Sequence, residues 1–120
     1  MKDHKELNAW KVSMDFVAEV YALTKDFPRE EIYGLTNQLR RAVVSIPSNI
    51  SEGAARNSTK EFVQFLYIAL GSAAEAETQL LIAQRLGYMN NIDKLLEMAV
   101  TVKKLISGLI GHYKKDRDQL

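Results

Sequence analysis

Few residues in this chain are of the kinds that do chemistry, and their spacing argues against a catalytic centre. The two histidines, His4 and His112, stand near opposite ends. Neither follows a glutamate at the Glu-x-x-His interval that builds carboxylate-bridged metal sites in helical bundles. Glu75 and Glu77 are two positions apart, so on a helix they point to different sides and read as ion-pair or interface residues rather than an acid–base pair. Cysteine is absent, which removes disulfides, thiol catalysis and cysteine-ligated zinc. The glycines form no phosphate-binding pattern. The expectation is a protein that is not an enzyme and needs no metal or cofactor.

The other candidate chemistry is phosphate recognition by clustered cations. Arg40 and Arg41 are adjacent, Arg56 and Lys60 follow, and Lys103, Lys104, Lys114, Lys115 and Arg117 crowd the C-terminal part. Net charge is only +1, so a nucleic-acid reading rests on these local groups and not on the overall balance. Each group alone usually reads as solvated surface. Repetition around an oligomer would change that, because phosphate neutralisation grows with the number of simultaneous contacts. Such binding positions a nucleic acid without reading its bases. No aromatic stacking platform is evident, since most aromatic residues fall on apolar stripes.

The elements that carry these residues are helices. A chain of 120 residues with 47% hydrophobic content fits one domain, residues 1–120, with its own core. No apolar run approaches the roughly 20 residues needed to cross a bilayer. The charged start, Met1-Lys2-Asp3-His4-Lys5-Glu6, has no apolar segment of the secretory kind. These features fit a cytoplasmic protein with no membrane partner.

Four helices are expected, at about 7–25, 35–52, 59–86 and 91–115. The first carries two apolar stripes: Trp10, Met14, Val17, Tyr21 and Thr24, and then Phe16, Val20, Leu23 and Phe27. Together they span about 200° of the helix, wider than one bundle needs. Either bulky residues fill one core, or the second stripe packs on another subunit, with Phe16, Val20, Leu23, Phe27 and Leu105 at the interface. Phe27-Pro28 and Gly34 punctuate the first connection. Leu35, Leu39, Ala42, Val43, Ile46 and Ile50 give the second helix a core face, and Gly53 is placed to end it. Ser58-Thr59-Lys60-Glu61 has the form of a capping box that opens the third helix. Phe62, Leu66, Ala69, Ala73, Ala76, Leu80 and Ala83 are its core stripe, and Gly87 with Tyr88 closes it. Asn90 or Asn91 can cap the fourth helix, whose stripe is Leu95, Ala99, Val102, Ile106, Leu109 and Tyr113. Short connections make consecutive helices antiparallel.

Pro47 interrupts the second helix. It has no amide hydrogen and its ring crowds the carbonyl of Val43, which bends the axis. Ser48 and Asn49 can satisfy the freed backbone groups. Gln38, Arg41, Ser45, Ser48, Asn49 and Glu52 fall within about 100° of one another. The bend either shapes the helix around its core or presents this polar face to a partner.

The stretch from Gln38 to Leu80 resembles the small four-helix-bundle proteins encoded in intervening sequences of bacterial 23S ribosomal RNA genes, also labelled S23 proteins. The resemblance lies in Leu39-Arg40-Arg41-Ala42, Ser45-Ile46-Pro47-Ser48-Asn49-Ile50, Glu52-Gly53, Lys60-Glu61-Phe62, Ala69-Leu70-Gly71-Ser72 and Glu75 through Leu80. Trp10-Lys11 and Leu86-Gly87-Tyr88 extend it over nearly the whole chain. Ser51 stands where alanine is usual, and Ala54-Ala55 is plainer than the family's turn. The resemblance implies an all-α, antiparallel up-down-up-down bundle assembling as a cyclic homo-oligomer, a pentamer. A related branch comprises accessory proteins of diversity-generating retroelements, which bind a reverse transcriptase and nucleic acid. The expected role is thus noncatalytic: either binding RNA or another nucleic acid through basic patches, or scaffolding a protein such as a reverse transcriptase.

Overall fold

The computed structural model describes residues 3–118, with the side chains of 3–115. It contains four α-helices: α1 (Asn8–Thr24), α2 (Leu35–Ala54), α3 (Thr59–Arg85) and α4 (Asp93–Asp118). Single 3-10 turns at His4–Glu6 and Arg29–Glu31 complete the regular structure, and no strand occurs among the described residues. None of these helices is long and apolar enough to cross a membrane.

Local chemistry explains three of the helix ends. The Ser58 hydroxyl accepts from the Glu61 amide at 3.2 Å, satisfying an orphan donor at the start of α3. At the other end, Tyr88 N–H donates to Ala83 and Gly87 N–H donates to Gln84, both at 3.0 Å. Gly87 takes φ 79°, which glycine adopts without strain. Asn91 accepts from the Asp93 amide at 3.0 Å and opens α4.

The helices pack in a closed cycle, each against the next and α4 back against α1. Their cross-contacts are ordered. Arg40 reaches Thr24, Ser45 meets Ser72, Lys103 meets Glu77, and Lys94 meets Glu19. The particle is elongated, 51 × 22 × 19 Å. Its core runs the length of the bundle through Leu39, Val43, Ile46, Ile50, Phe62, Leu66, Leu80, Ile92, Val102 and Ile106. Alanines 69, 73, 76 and 83 are fully buried on α3 and let neighbouring helices come close.

Two expectations are overturned. Phe16 and Val20 are 0% exposed within the single chain, and Phe27 is buried as well. They are core residues of their own bundle, so they cannot be subunit-interface residues. The outward stripe of α1 is the other one: Met14 and Tyr21 are exposed, and Trp10 and Val17 are half-buried. Leu23 and Leu105 are half-buried against the core.

Gly53 does not end α2. The helix runs through it to Ala54. Among the described residues only Gly87 has positive φ. Gly53 faces α3 instead, where an added Cβ would lie 2.6 Å from the Phe65 Cβ and 3.0 Å from the Phe62 ring. The missing side chain permits close approach of two helices.

Candidate functional site

Pro47 sits inside α2 and is buried. Two residues on, the Asn49 side-chain amide donates at 2.8 Å to both the carbonyl and the hydroxyl of Ser45. Ser45 in turn shares a 2.8 Å hydrogen bond with Ser72 on α3. Asn49 and Ser45 are therefore a stitch between helices. Ser48 turns to the other side, where its carbonyl accepts from the Ser51 hydroxyl at 2.9 Å. Glu52 is exposed and pairs with Arg56 at 3.1 Å. The polar face of α2 is thereby split between an internal seam and the surface.

One buried polar atom on α3 lacks a partner among the described residues. Gln79 on α3 is only 6% exposed; its amide donates to Glu75 at 3.2 Å, but its Oε1 has no partner among the described residues.

Beside Pro47 lies an apolar groove of about 310 Å³ between α1 and α2. Trp10, Met14, Val17, Val44 and Pro47 line it, with His4, Ser48 and Ser51 at the rim. His4 is ordered there, edge-on to Trp10 at 5.4 Å. Met14 is 44% exposed and Val44 38%.

The candidate cations separate into engaged and open ones. Arg40 donates to the Thr24 hydroxyl at 2.9 Å and lies 4.6 Å from the centre of the Tyr21 ring. It clamps α2 to α1. Arg56 lies over Phe65 at 4.9 Å and pairs with Glu52 and, at 3.9 Å, Glu61. Lys103 pairs with Glu77 at 2.8 Å, both half-buried. Arg41, Lys60, Lys104 and Lys115 are exposed and make no ion pair or hydrogen bond among the described residues. Lys104 borders a second groove, between α1 and α4, with Glu6 on its far wall. Arg117 lies outside the residues whose side chains are described.

The cations do not form one patch. Arg40 and Arg41 lie near the start of α2, about 18 Å along the axis from Gly53 at the other end of that helix. Lys60, Lys114 and Lys115 gather at that other end. Lys114 donates to the Tyr67 hydroxyl at 3.4 Å and sits 5.8 Å from the ring centre. Tyr67 itself is 48% exposed on the outer face of α3. Sequence reasoning missed it, although its place off the Phe62–Leu66–Ala69 stripe was a usable signal. Among the described residues no three His, Cys, Asp or Glu side chains are grouped to hold a metal ion.

A second missed feature joins the loops at the opposite end. Glu31 accepts from Tyr88 OH at 2.6 Å and from the Leu35 amide at 3.0 Å. The tyrosine bond first, and the amide second, hold the Glu31 carboxyl below its ordinary pKa; the same bond raises that of Tyr88.

Comparison with known proteins adds two findings. The family described as 23S rRNA-intervening sequence protein matches residues 5–108. The chain is also similar to a crystal structure of a protein of unknown function from the S23 ribosomal protein family of Bacteroides thetaiotaomicron. The two are 25% identical over 85% of this chain and 97% of that one, with a TM-score of 0.79. No curated protein matches.

Proposed function

The chain belongs to the 23S rRNA-intervening sequence protein family, and from that premise we propose a noncatalytic, cytoplasmic, homo-oligomeric adaptor that binds RNA or another nucleic acid through repeated basic surfaces. The observation that carries the reading is that four of the candidate cations, Arg41, Lys60, Lys104 and Lys115, are exposed and have no acidic partner among the described residues, as is also true of Lys11, Lys25, Arg29 and Arg85. An unpaired surface cation can neutralise phosphate without first giving up an internal ion pair. Arg40, Arg56 and Lys103 are already engaged within the bundle and are left out of the contact set.

In this reading the bundle is up-down-up-down, supported by contacts of the early part of α2 with the end of α1, of the start of α4 with the late part of α1, and of the start of α3 with the late part of α4. Copies assemble into a ring through the α1–α2 groove around Met14 and Val44, which replaces the discarded interface at Phe16 and Val20. The number five rests on the family resemblance alone.

The test is RNA binding at two salt concentrations. Affinity should fall steeply as salt rises, and an Arg41→Ala/Lys60→Ala/Lys104→Ala variant should bind more weakly with a shallower salt slope. Salt-insensitive binding, or none, would count against the proposal.

The same groove favours one alternative, a scaffold or accessory subunit for a polypeptide such as a reverse transcriptase, without nucleic-acid contact. An exposed apolar cleft rimmed by polar residues suits a protein partner. Co-purification from the native cell, with bound material assayed for RNA and for protein, separates the two.

A further inference from the structure

The proposed nucleic-acid role leaves open where a strand sits and whether it is paired. The charge map is uneven. On α3 no acidic residue occurs from Phe62 to Ala74, and on α4 none occurs from Met98 to Lys115. These stretches face one another: Phe62 touches Tyr113 ring to ring at 5.0 Å, and Lys114 reaches Tyr67. One end of the zone is closed by the Lys103–Glu77 pair at 2.8 Å. At the other end Lys60, Lys114 and Lys115 stand with no carboxylate paired to them among the described residues. Arg56 is nearby but held by Glu52 and Glu61.

The outer surface of this zone is built in a particular order. Lys60, Gln64, Tyr67 and Gly71 fall on one stripe of α3 at helical spacing, and all four are exposed. Nothing lies within 4 Å of where a Gly71 Cβ would be, so the surface beside the tyrosine ring is open. Gln64 offers both a donor and an acceptor.

Resting on the nucleic-acid reading above, we propose that Tyr67, flanked by Lys60, Gln64 and Lys114, is a stacking site for an unpaired base of single-stranded nucleic acid. Lys114 at the ring and Lys60, about 10 Å earlier along α3, meet the backbone phosphates. The ring face not covered by the Lys114 ammonium, which sits 5.8 Å from its centre, meets a base, whose faces a duplex keeps inside its own stack. The open ground at Gly71 lets the strand lie close to the helix. A duplex could use the lysines but not the ring.

The experiment measures binding of an unpaired RNA of about ten nucleotides and of a duplex of the same length, by fluorescence anisotropy at low salt. Tyr67→Ala should weaken single-strand binding about tenfold and change duplex binding less than about twofold. Tyr67→Phe keeps the ring but loses the hydroxyl contact to Lys114, and should restore single-strand affinity. Thermal melts of each variant establish that the bundle is intact. If wild-type protein binds RNA but Tyr67→Ala has no effect, or affects strand and duplex alike, the stacking site is wrong and the adaptor reading stands. If wild-type protein binds neither RNA, both fall.

Discussion

Glu31 and Tyr88 are 57 positions apart in sequence, and the tyrosine hydroxyl donates to the Glu31 carboxylate at 2.6 Å. The other carboxylate oxygen accepts from the Leu35 amide at the first turn of α2. One side chain thus caps a helix and ties the α1–α2 connection to the segment after α3. Phe27 lies against the Tyr88 ring at 5.6 Å and completes the join.

This join makes stability depend on pH at both extremes. The folded state holds the Glu31 proton less readily than the unfolded chain, because the Tyr88 bond and then the Leu35 amide favour the carboxylate. Its contribution is present above the unfolded carboxylate's pKa and is lost as pH falls through the lowered folded value. Tyr88 is shifted upward, chiefly by the same bond. Its contribution is present below the unfolded tyrosine's pKa and is lost as pH rises through the raised folded value. Tyr88→Phe should therefore melt lower than wild type at neutral pH, with the gap narrowing in acid and in strong alkali. Melting curves across pH check this, and a gap that does not vary with pH would assign the loss to packing.

Gly53 and Gly108 give opposite outcomes for the same substitution. Gly53→Ala drives a methyl into the Phe65 Cβ at 2.6 Å, and a Cβ cannot rotate away. Overpacking of this kind outweighs the helix-propensity gain, for a net loss of about 1–2 kcal/mol. Gly108, in the interior of α4, has nothing within 4 Å of its would-be Cβ. Gly108→Ala should stabilise the fold by about 1 kcal/mol. Urea unfolding of the two variants beside wild type measures both signs.

Arg40 and Arg41 are neighbours with different work. Arg40→Ala removes a charged donor to Thr24 and a cation over the Tyr21 ring, and should cost about 1–2 kcal/mol of folding stability. Arg41→Ala touches no partner and should stay within about 0.5 kcal/mol. Denaturant titration distinguishes them. Equal losses would mean that Arg41 has a contact in the folded protein that its exposure does not suggest.

The sequence carried the helices more clearly than their orientation. Apolar spacing marked where each helix lies, and Ser58, Gly87 and Asn91 act through backbone groups only a few positions away, so their roles could be read locally. The rotation of α1 could not. Its apolar arc of about 200° holds two stripes, and Trp10, Met14 and Tyr21 look as apolar as Phe16 and Val20. What decides between them is which stripe turns inward between α2 and α4, a tertiary fact. Gly53 misled for a similar reason. A glycine near a helix end reads as a stop, but here its value is the space it leaves for Phe65 on another helix. The cations were legible as a set. Which of them are free depends on Thr24, Glu52 and Glu77, which come near only on folding.

That reversal of α1 yields the sharpest test of assembly. If copies associate through the α1–α2 groove, Met14 and Val44, at 44% and 38% exposure, are the residues to charge. A Met14→Glu/Val44→Glu variant should keep its helical content and sediment as a single chain, while wild type sediments at a multiple of that mass. Phe16→Ala should behave differently. Phe16 is fully buried in its own bundle, so its truncation should cost about 3–5 kcal/mol of folding stability and show first as a lowered melting temperature. Sedimentation velocity with parallel melting curves separates the two kinds of loss. A Phe16 variant that dissociates without losing stability would return the interface to the inner stripe. A wild-type protein that stays monomeric at high micromolar concentration would remove the ring and leave each copy to bind with its own few cations.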